Sequence, residues 1–226
     1  MNNDINNFFK QFVSKRRLSL IEEKIRYRTR YLTVVLEDIY QMHNASAIIR
    51  TCECFGIQDI HVIENKNTFN PCKEISVGAQ QWVSLSRYEN HKKPLQLLKD
   101  NGYRIIVTTS SKNNSTPLEN LDLAKSKIAF VFGTELTGVS EEVYNQADEY
   151  INIPMYGFTE SLNVSVSVGI ILFYTTSLLY KSKIKWQMNE NEIKELELLW
   201  LKNSVKKPEL LEKHFVEQQN KNRVSY

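Results

Sequence analysis

The chain has 226 residues, 29 basic and 26 acidic side chains, and 42% hydrophobic residues. This suits one domain of moderate size with a sizeable core and additions at its ends. No apolar run approaches a membrane span free of polar residues, and the first residues lack the basic, apolar, small-residue order of a signal peptide. The reading is therefore a cytoplasmic protein with no membrane association. The three cysteines (Cys52, Cys54, Cys72) are odd in number and lack metal-type spacing, so reduced thiols and no bound metal are expected.

Net charge is more informative when divided. Residues 1–30 carry eight basic and three acidic side chains, residues 31–180 eleven and sixteen, and residues 181–226 ten and seven. An acidic middle thus lies between two basic ends. Such ends suit a polyanion such as nucleic acid, and they equally suit a pair of solvated surface helices.

In chain order, residues 5–28 read as a helix with an apolar stripe of Ile5, Phe8, Phe9, Phe12 and Val13. Lys15-Arg16-Arg17 and then Arg26, Arg28 and Arg30 follow the stripe. Thr33–Leu36 is a short β-rich strand. His43 to Thr51 opens a helix that Gly56 closes, and Ile60–Ile63 is a second strand. Trp82–Leu85 is a weak alternating strand. Residues 91–101 form a helix ending at Gly102, followed by a buried strand, Tyr103–Thr109. Ile128–Phe132 is another buried strand, leading into Gly133-Thr134-Glu135-Leu136-Thr137-Gly138-Val139-Ser140 and a helix begun by Ser140-Glu141-Glu142.

A short apolar strand near Ile151 stops at Pro154, which cannot donate to a sheet ladder. Ser161 and Asn163 are helix-capping residue types ahead of a long apolar run reaching Lys181. Val164-Ser165-Val166-Ser167-Val168 alternates like a strand, but the run is too long for one, and a buried helix is predicted from Asn163. Polar groups where a strand hands over to a buried helix can form a ligand site; a capped core helix without a ligand is the other reading. Residues 189–202 and 206–222 form two further helices, with Pro208 near the start of the second. Apolar strands alternating with helices predict an α/β fold with a mostly parallel sheet covered on both faces.

The strand, loop and helix around Gly133 nearly match a phosphate-binding loop, but Val139 stands where the lysine is required, which removes the mechanism. No G-x-G-x-x-G occurs, which excludes that dinucleotide site. With four histidines, no Ser-His-Asp grouping can be assembled.

Three segments in order carry a family likeness. They are Asn44-Ala45-Ser46-Ala47-Ile48-Ile49-Arg50-Thr51 with Phe55-Gly56, then Val131 to Ser140, then Ile153-Pro154-Met155 with Ser161-Leu162-Asn163-Val164-Ser165. Together they resemble the three motifs of the SpoU-type RNA 2′-O-methyltransferases of the SPOUT superfamily. The likeness covers roughly residues 30–180, and within the family it is greatest to the enzymes that act on tRNA guanosine.

The resemblance implies a Rossmann-like domain over residues 31–182 whose part from about 128 to 180 is threaded into a deep trefoil knot. A basic helical extension at 1–30 and a helical extension at 183–226 would flank it. It also implies S-adenosyl-L-methionine as methyl donor, a homodimer and tRNA as partner. Position by position, Arg50 matches the catalytic arginine and Asn44 its motif partner. Glu135 matches the acidic residue of the second motif, and Ser161 and Asn163 the polar pair of the third. Thr109, Gly133, Ile153 and Leu162 fall where the family holds the methyl donor, largely through backbone groups. Lys15, Arg16, Arg17 and Arg26 are the expected RNA-binding cations. Two departures are Gln41-Met42, where Lys-Pro is usual, and Glu160 in place of a common glutamine.

A ribose 2′-hydroxyl must lose its proton as it attacks a sulfonium methyl group. Positioning supplies much of the rate, and general-base help adds about 10²–10⁴-fold. Arg50 would act either as a deprotonated base or by holding an RNA phosphate that takes the proton; both versions stay open. The expected activity is methylation of the D-loop guanosine at position eighteen of tRNA. The alternatives are another tRNA or rRNA site, or an inactive knotted RNA-binding dimer. The short lead before the first core strand and the residues after Lys181 favour the tRNA site.

Overall fold

The computed structural model describes residues 2–111 and 114–224. The chain divides into two compact units. One is Thr29–Trp186; the other joins both ends of the chain, up to Arg28 and from Gln187 onward.

The first helical stretch is two helices rather than the one expected over 5–28: α1, Asn2–Lys10, and α2, Lys15–Lys24. Ser14 interrupts them in extended backbone, and its hydroxyl accepts the Arg17 N–H as an N-cap, so its side chain begins a helix instead of continuing one. A single 3₁₀ turn, Ile25–Tyr27, follows.

The α/β unit begins with β1, Leu32–Glu37, then α3, Met42–Cys54, and β2, Asp59–Ile63. A four-residue helix α4, Lys73–Ser76, precedes β3, Ser84–Tyr88. The weak strand expected at 82–85 is displaced because Trp82 closes a 3₁₀ turn, Ala79–Gln81. Next come α5, Lys92–Asp100, β4, Tyr103–Thr108, and a two-residue strand β5, Thr116–Pro117. The unit ends with β6, Lys127–Phe132, α6, Glu141–Tyr144, β7, Glu149–Asn152, and α7, Val164–Lys181. The strands form one sheet in the order β3-β2-β1-β6-β4-β7-β5, and every pairing is parallel.

Side chains alternate across this sheet, and each face has its own core. Val34, Leu36, Phe130 and Phe132 pack with Ile48 and Ile49 of α3 and Val168, Ile171 and Leu172 of α7. Val35, Ala129, Val131, Ile105 and Val107 face the other way, against Leu95 and Leu98 of α5 and against Val143. Burial on both faces is why these strands read as nearly continuous apolar runs. Strand order reverses direction between β1 and β6, and ligands of open parallel sheets bind at the carboxyl ends of strands near such a reversal.

Among the described residues α7 alone has the length and apolar composition of a membrane span. Its apolar positions are shared between the core and the surface: Val168, Ile171, Leu172 and Leu179 are buried, whereas Val166, Ile170 and Phe173 are 47%, 38% and 61% exposed.

The second unit contains α1, α2, α8, Glu190–Asn203, and α9, Pro208–Val224. Asn189 opens α8 with a capping box, exchanging hydrogen bonds with Glu192. Phe9 and Trp200 are buried here, and the Arg28 guanidinium lies 5.0 Å from the Trp200 ring centre. Asn6 donates to Lys194 O and to Glu197, which also pairs with Lys10 at 2.7 Å. Lys15, Arg16, Arg17 and Arg26 are all exposed.

Candidate active site

The loop after β6 is fixed by a close backbone approach. A Cβ on Gly133 would lie 2.1 Å from the carbonyl carbon and oxygen of Gly138, so only glycine lets the two segments meet there. Thr134 and Gly138 exchange both backbone hydrogen bonds at 3.0 Å, and Gly138 takes a positive φ of 69°. The loop's far end is tied to β1. The buried Glu37 carboxylate accepts the Ser140 N–H and hydroxyl, each at 2.7 Å, and the Asn65 amide at 2.9 Å. Ser140 in turn caps α6 through the Val143 N–H.

This loop walls a cavity of ≈ 360 Å³ at the carboxyl ends of β4, β6 and β7. Thr109, Gly133, Ile153 and Leu162, the four expected donor-binding positions, all line it, as do Glu135 and Ser161. Ile151, Val164 and Ile171 contribute apolar surface to the lining, while Ser167 adds a hydroxyl one turn into α7. Ser167 and Ile171 were not singled out from the sequence; their four-residue spacing after Asn163 on a helix is the signal that points to them.

Asn44, Glu135 and Asn163, each from a different motif, meet in a single hydrogen-bonded cluster. Glu135 Oε1 accepts the side-chain amides of Asn44 and Asn163, both at 2.8 Å, and Asn163 also donates to Asn44 Oδ1 at 3.0 Å. Asn163 Oδ1 caps α7 by accepting from Ser165 N and Val166 N. Asn44 donates further to Gln41 Oε1 at 2.8 Å. One carboxylate therefore fastens the start of α3 and the start of α7 to the loop after β6.

Arg50 stands apart from this cluster. It lies on α3 beyond Asn44, exposed to solvent, with no hydrogen bond or ion pair among the described residues and not on the cavity lining. It makes no ion pair with Glu135, whose Oε1 accepts the two asparagine amides. No group of three or more His, Cys, Asp or Glu positioned to hold a metal occurs among the described residues.

An all-parallel sheet, a glycine-tightened loop at the strand-order reversal and a cavity without phosphate-loop lysine define an α/β ligand-binding domain of non-dinucleotide type. The chain belongs to the SpoU rRNA Methylase family, whose model matches residues 31–173. It is 46% identical over 204 residues to a tRNA (guanosine(18)-2'-O)-methyltransferase of Borreliella burgdorferi, covering 89% of this chain and 92% of that protein. A protein of the same name from Thermus thermophilus is 37% identical over 153 residues, covering 68% and 78%. The crystal structure of the A. aeolicus TrmH/SpoU tRNA modifying enzyme superposes with a TM-score of 0.76 at 32% identity, covering 85% of this chain and 98% of that one.

Proposed function

We propose that the protein methylates the ribose 2′-hydroxyl of the guanosine at position eighteen in the D loop of tRNA. The observation that carries this is the 46% identity, across nearly the whole of both chains, to a protein of that name. The site supports the same reading, because segments far apart in sequence converge on one cavity through the Glu135 carboxylate.

The cavity suits S-adenosylmethionine. Its volume lies within the range of small-molecule sites, and its lining combines apolar side chains with the backbone of the glycine-tightened loop at Gly133. Thr109, Gly133, Ile153 and Leu162 would hold the donor, which supplies an electrophilic sulfonium methyl group when bound. Ser161, on the same lining, would orient the reacting end. Glu135, Asn44 and Asn163 are engaged with one another, and their proposed part is to hold the loop and the two helix starts in register. Arg50, exposed and unpaired, is available to grip an RNA phosphate. A guanidinium is always charged in ordinary settings, and its planar fork of donors matches a phosphate. The version in which the gripped phosphate takes the ribose proton is therefore favoured.

Three further features belong to this proposal. The exposed Val166, Ile170 and Phe173, spaced at i, i+4 and i+7, form an apolar stripe on α7 suited to a second copy of the chain. Lys15, Arg16, Arg17 and Arg26 offer exposed cations to tRNA phosphates. A trefoil knot over about 128–180 is supported by the path of the chain: β7 pairs beyond β4, whereas α7 packs on α3, and both connecting segments line one cavity. An experimental chain trace passing outside the 133–140 loop would contradict the knot. Calorimetry with S-adenosylmethionine tests the donor, and absence of binding at millimolar ligand would sink the enzyme reading. Sedimentation at micromolar protein should show a dimer; a monomer would contradict the α7 interface.

A further inference from the structure

A second and larger cavity, of ≈ 710 Å³, shares Thr134, Glu135 and Gly138 with the first as a common rim. Beyond the loop after β6, no motif identified in the sequence accounts for it. Its lining includes Tyr40, Gln41, Asn65, Lys66 and His91, drawn from separate loops, and Glu142 of α6. Besides Glu135, two of its carboxylates are committed internally: Glu37 to Ser140 and Asn65, and Asp38 to the backbone N–H groups of Lys66 and Asn67 at 2.8 and 3.1 Å. Glu142 differs from both. Its carboxylate has no hydrogen bond or ion pair among the described residues. Gln41 uses its oxygen on Asn44, leaving its N–H donors for a ligand. Tyr40 is half exposed, with a free aromatic face.

We infer that this cavity receives the target guanosine, splayed out of the D loop, so that base and methyl donor lie on opposite sides of the 134–138 rim. The inference rests on the function proposed above. Guanine presents two adjacent donors, N1–H and the 2-amino group, and an ionised carboxylate is the side chain that accepts from both. Adenine would turn an acceptor toward the same carboxylate and be repelled. Glu142 is thus assigned to the Watson–Crick edge, Tyr40 to stacking on the base, and Lys66 to the neighbouring phosphate. An unstacked loop base read by its edge and stacked on an aromatic ring is a common mode of sequence-specific RNA recognition. The placement also puts the ribose beside Glu135 and Asn44, at the edge of the donor cavity.

Single-turnover methyl transfer is measured on two tRNAs, one with guanosine and one with inosine at position eighteen. Inosine lacks only the 2-amino group. The wild-type protein should prefer guanosine by about ten- to hundredfold, the range for one hydrogen bond to a charged group. Glu142→Gln should bring that ratio close to one while the dissociation constant for S-adenosylmethionine is unchanged. Tyr40→Ala should slow both substrates and Tyr40→Phe restore them. A wild-type protein without preference, or a Glu142→Gln protein keeping the wild-type ratio, overturns the inference and leaves the function standing. Absence of transfer by the wild-type protein to either tRNA overturns both.

Discussion

The carboxyl edge of the sheet and the surface of the terminal helices use polar residues in opposite ways. At the sheet edge the groups that hold the loop are committed to one another: Glu135 to two asparagines, Glu37 to Ser140 and Asn65, Asn163 to the start of α7. In the terminal segments Lys15, Arg16, Arg17 and Arg26 are exposed. Paired groups in a tight loop fix geometry, which suits a small ligand and a reacting atom. Solvated cations fix little but attract a polyanion over a distance of about a Debye length. Arg50 stands out among the motif residues of the α/β unit, because it sits on a motif helix yet is exposed like the terminal cations, with no hydrogen bond or ion pair among the described residues. That contrast suggests dividing the motif residues into those that build the site and one that acts on the substrate.

The sharpest way to break this division is to remove Arg50. Arg50→Ala should lower single-turnover transfer by about 10²–10⁴-fold, the usual yield of a proton-handling group. S-adenosylmethionine binding and the unfolding midpoint should be unchanged, since no described residue depends on this side chain. Loss of stability instead of rate would place Arg50 with the builders. Gly133→Ala tests the opposite side. Its added Cβ would collide with Gly138 backbone, so donor binding measured by calorimetry should fall by at least tenfold. Retained affinity would show that the loop can open at no cost.

A combined Lys15→Ala, Arg16→Ala, Arg17→Ala and Arg26→Ala protein should weaken tRNA binding while donor affinity holds. Its log–log salt slope should shrink by up to about 0.9 for each phosphate no longer neutralised. An unchanged slope would remove the terminal helices from RNA binding. Asn163→Ala deletes the cap of α7 and one amide on Glu135, and denaturant unfolding should register about 1–2 kcal/mol.

The smallest effect concerns pH. Burial lowers the His61 proton affinity below its ordinary value of 6.5, with Asp59 opposing the shift. The folded state then binds this proton less readily than the unfolded chain. Stability from His61 is complete above pH 6.5 and declines as pH falls from there toward the lowered folded value. His61→Asn should flatten that decline in a series of urea midpoints; an identical slope would assign it to other groups.

Much of this was legible from residues alone. Asn163 ahead of an apolar run gave the start of α7 despite the strand-like alternation that follows, because eighteen residues without proline exceed any ordinary strand. Gly56 and Gly102 marked helix ends, and both take positive φ. The break at Ser14 was not legible, since Phe8, Phe9, Phe12 and Val13 keep a helical spacing up to it and capping competes with propagation only in context. The two residues of β5 carry too little pattern to register as a strand. The hydrogen bonds of Asn44 and Asn163 to Glu135 also lay beyond the sequence, which named all three without showing that they hold one another. The second cavity escaped for a related reason: its walls come from several loops, and no spacing rule joins residues that meet only after folding.

The measurement nearest the central claim is transfer of labelled methyl from S-adenosylmethionine to unmodified tRNA, followed by mapping of the modified ribose. Label on the D-loop guanosine at position eighteen, dependent on Arg50, is the expected result. Label confined to the anticodon or to ribosomal RNA, or no label at all, would contradict it.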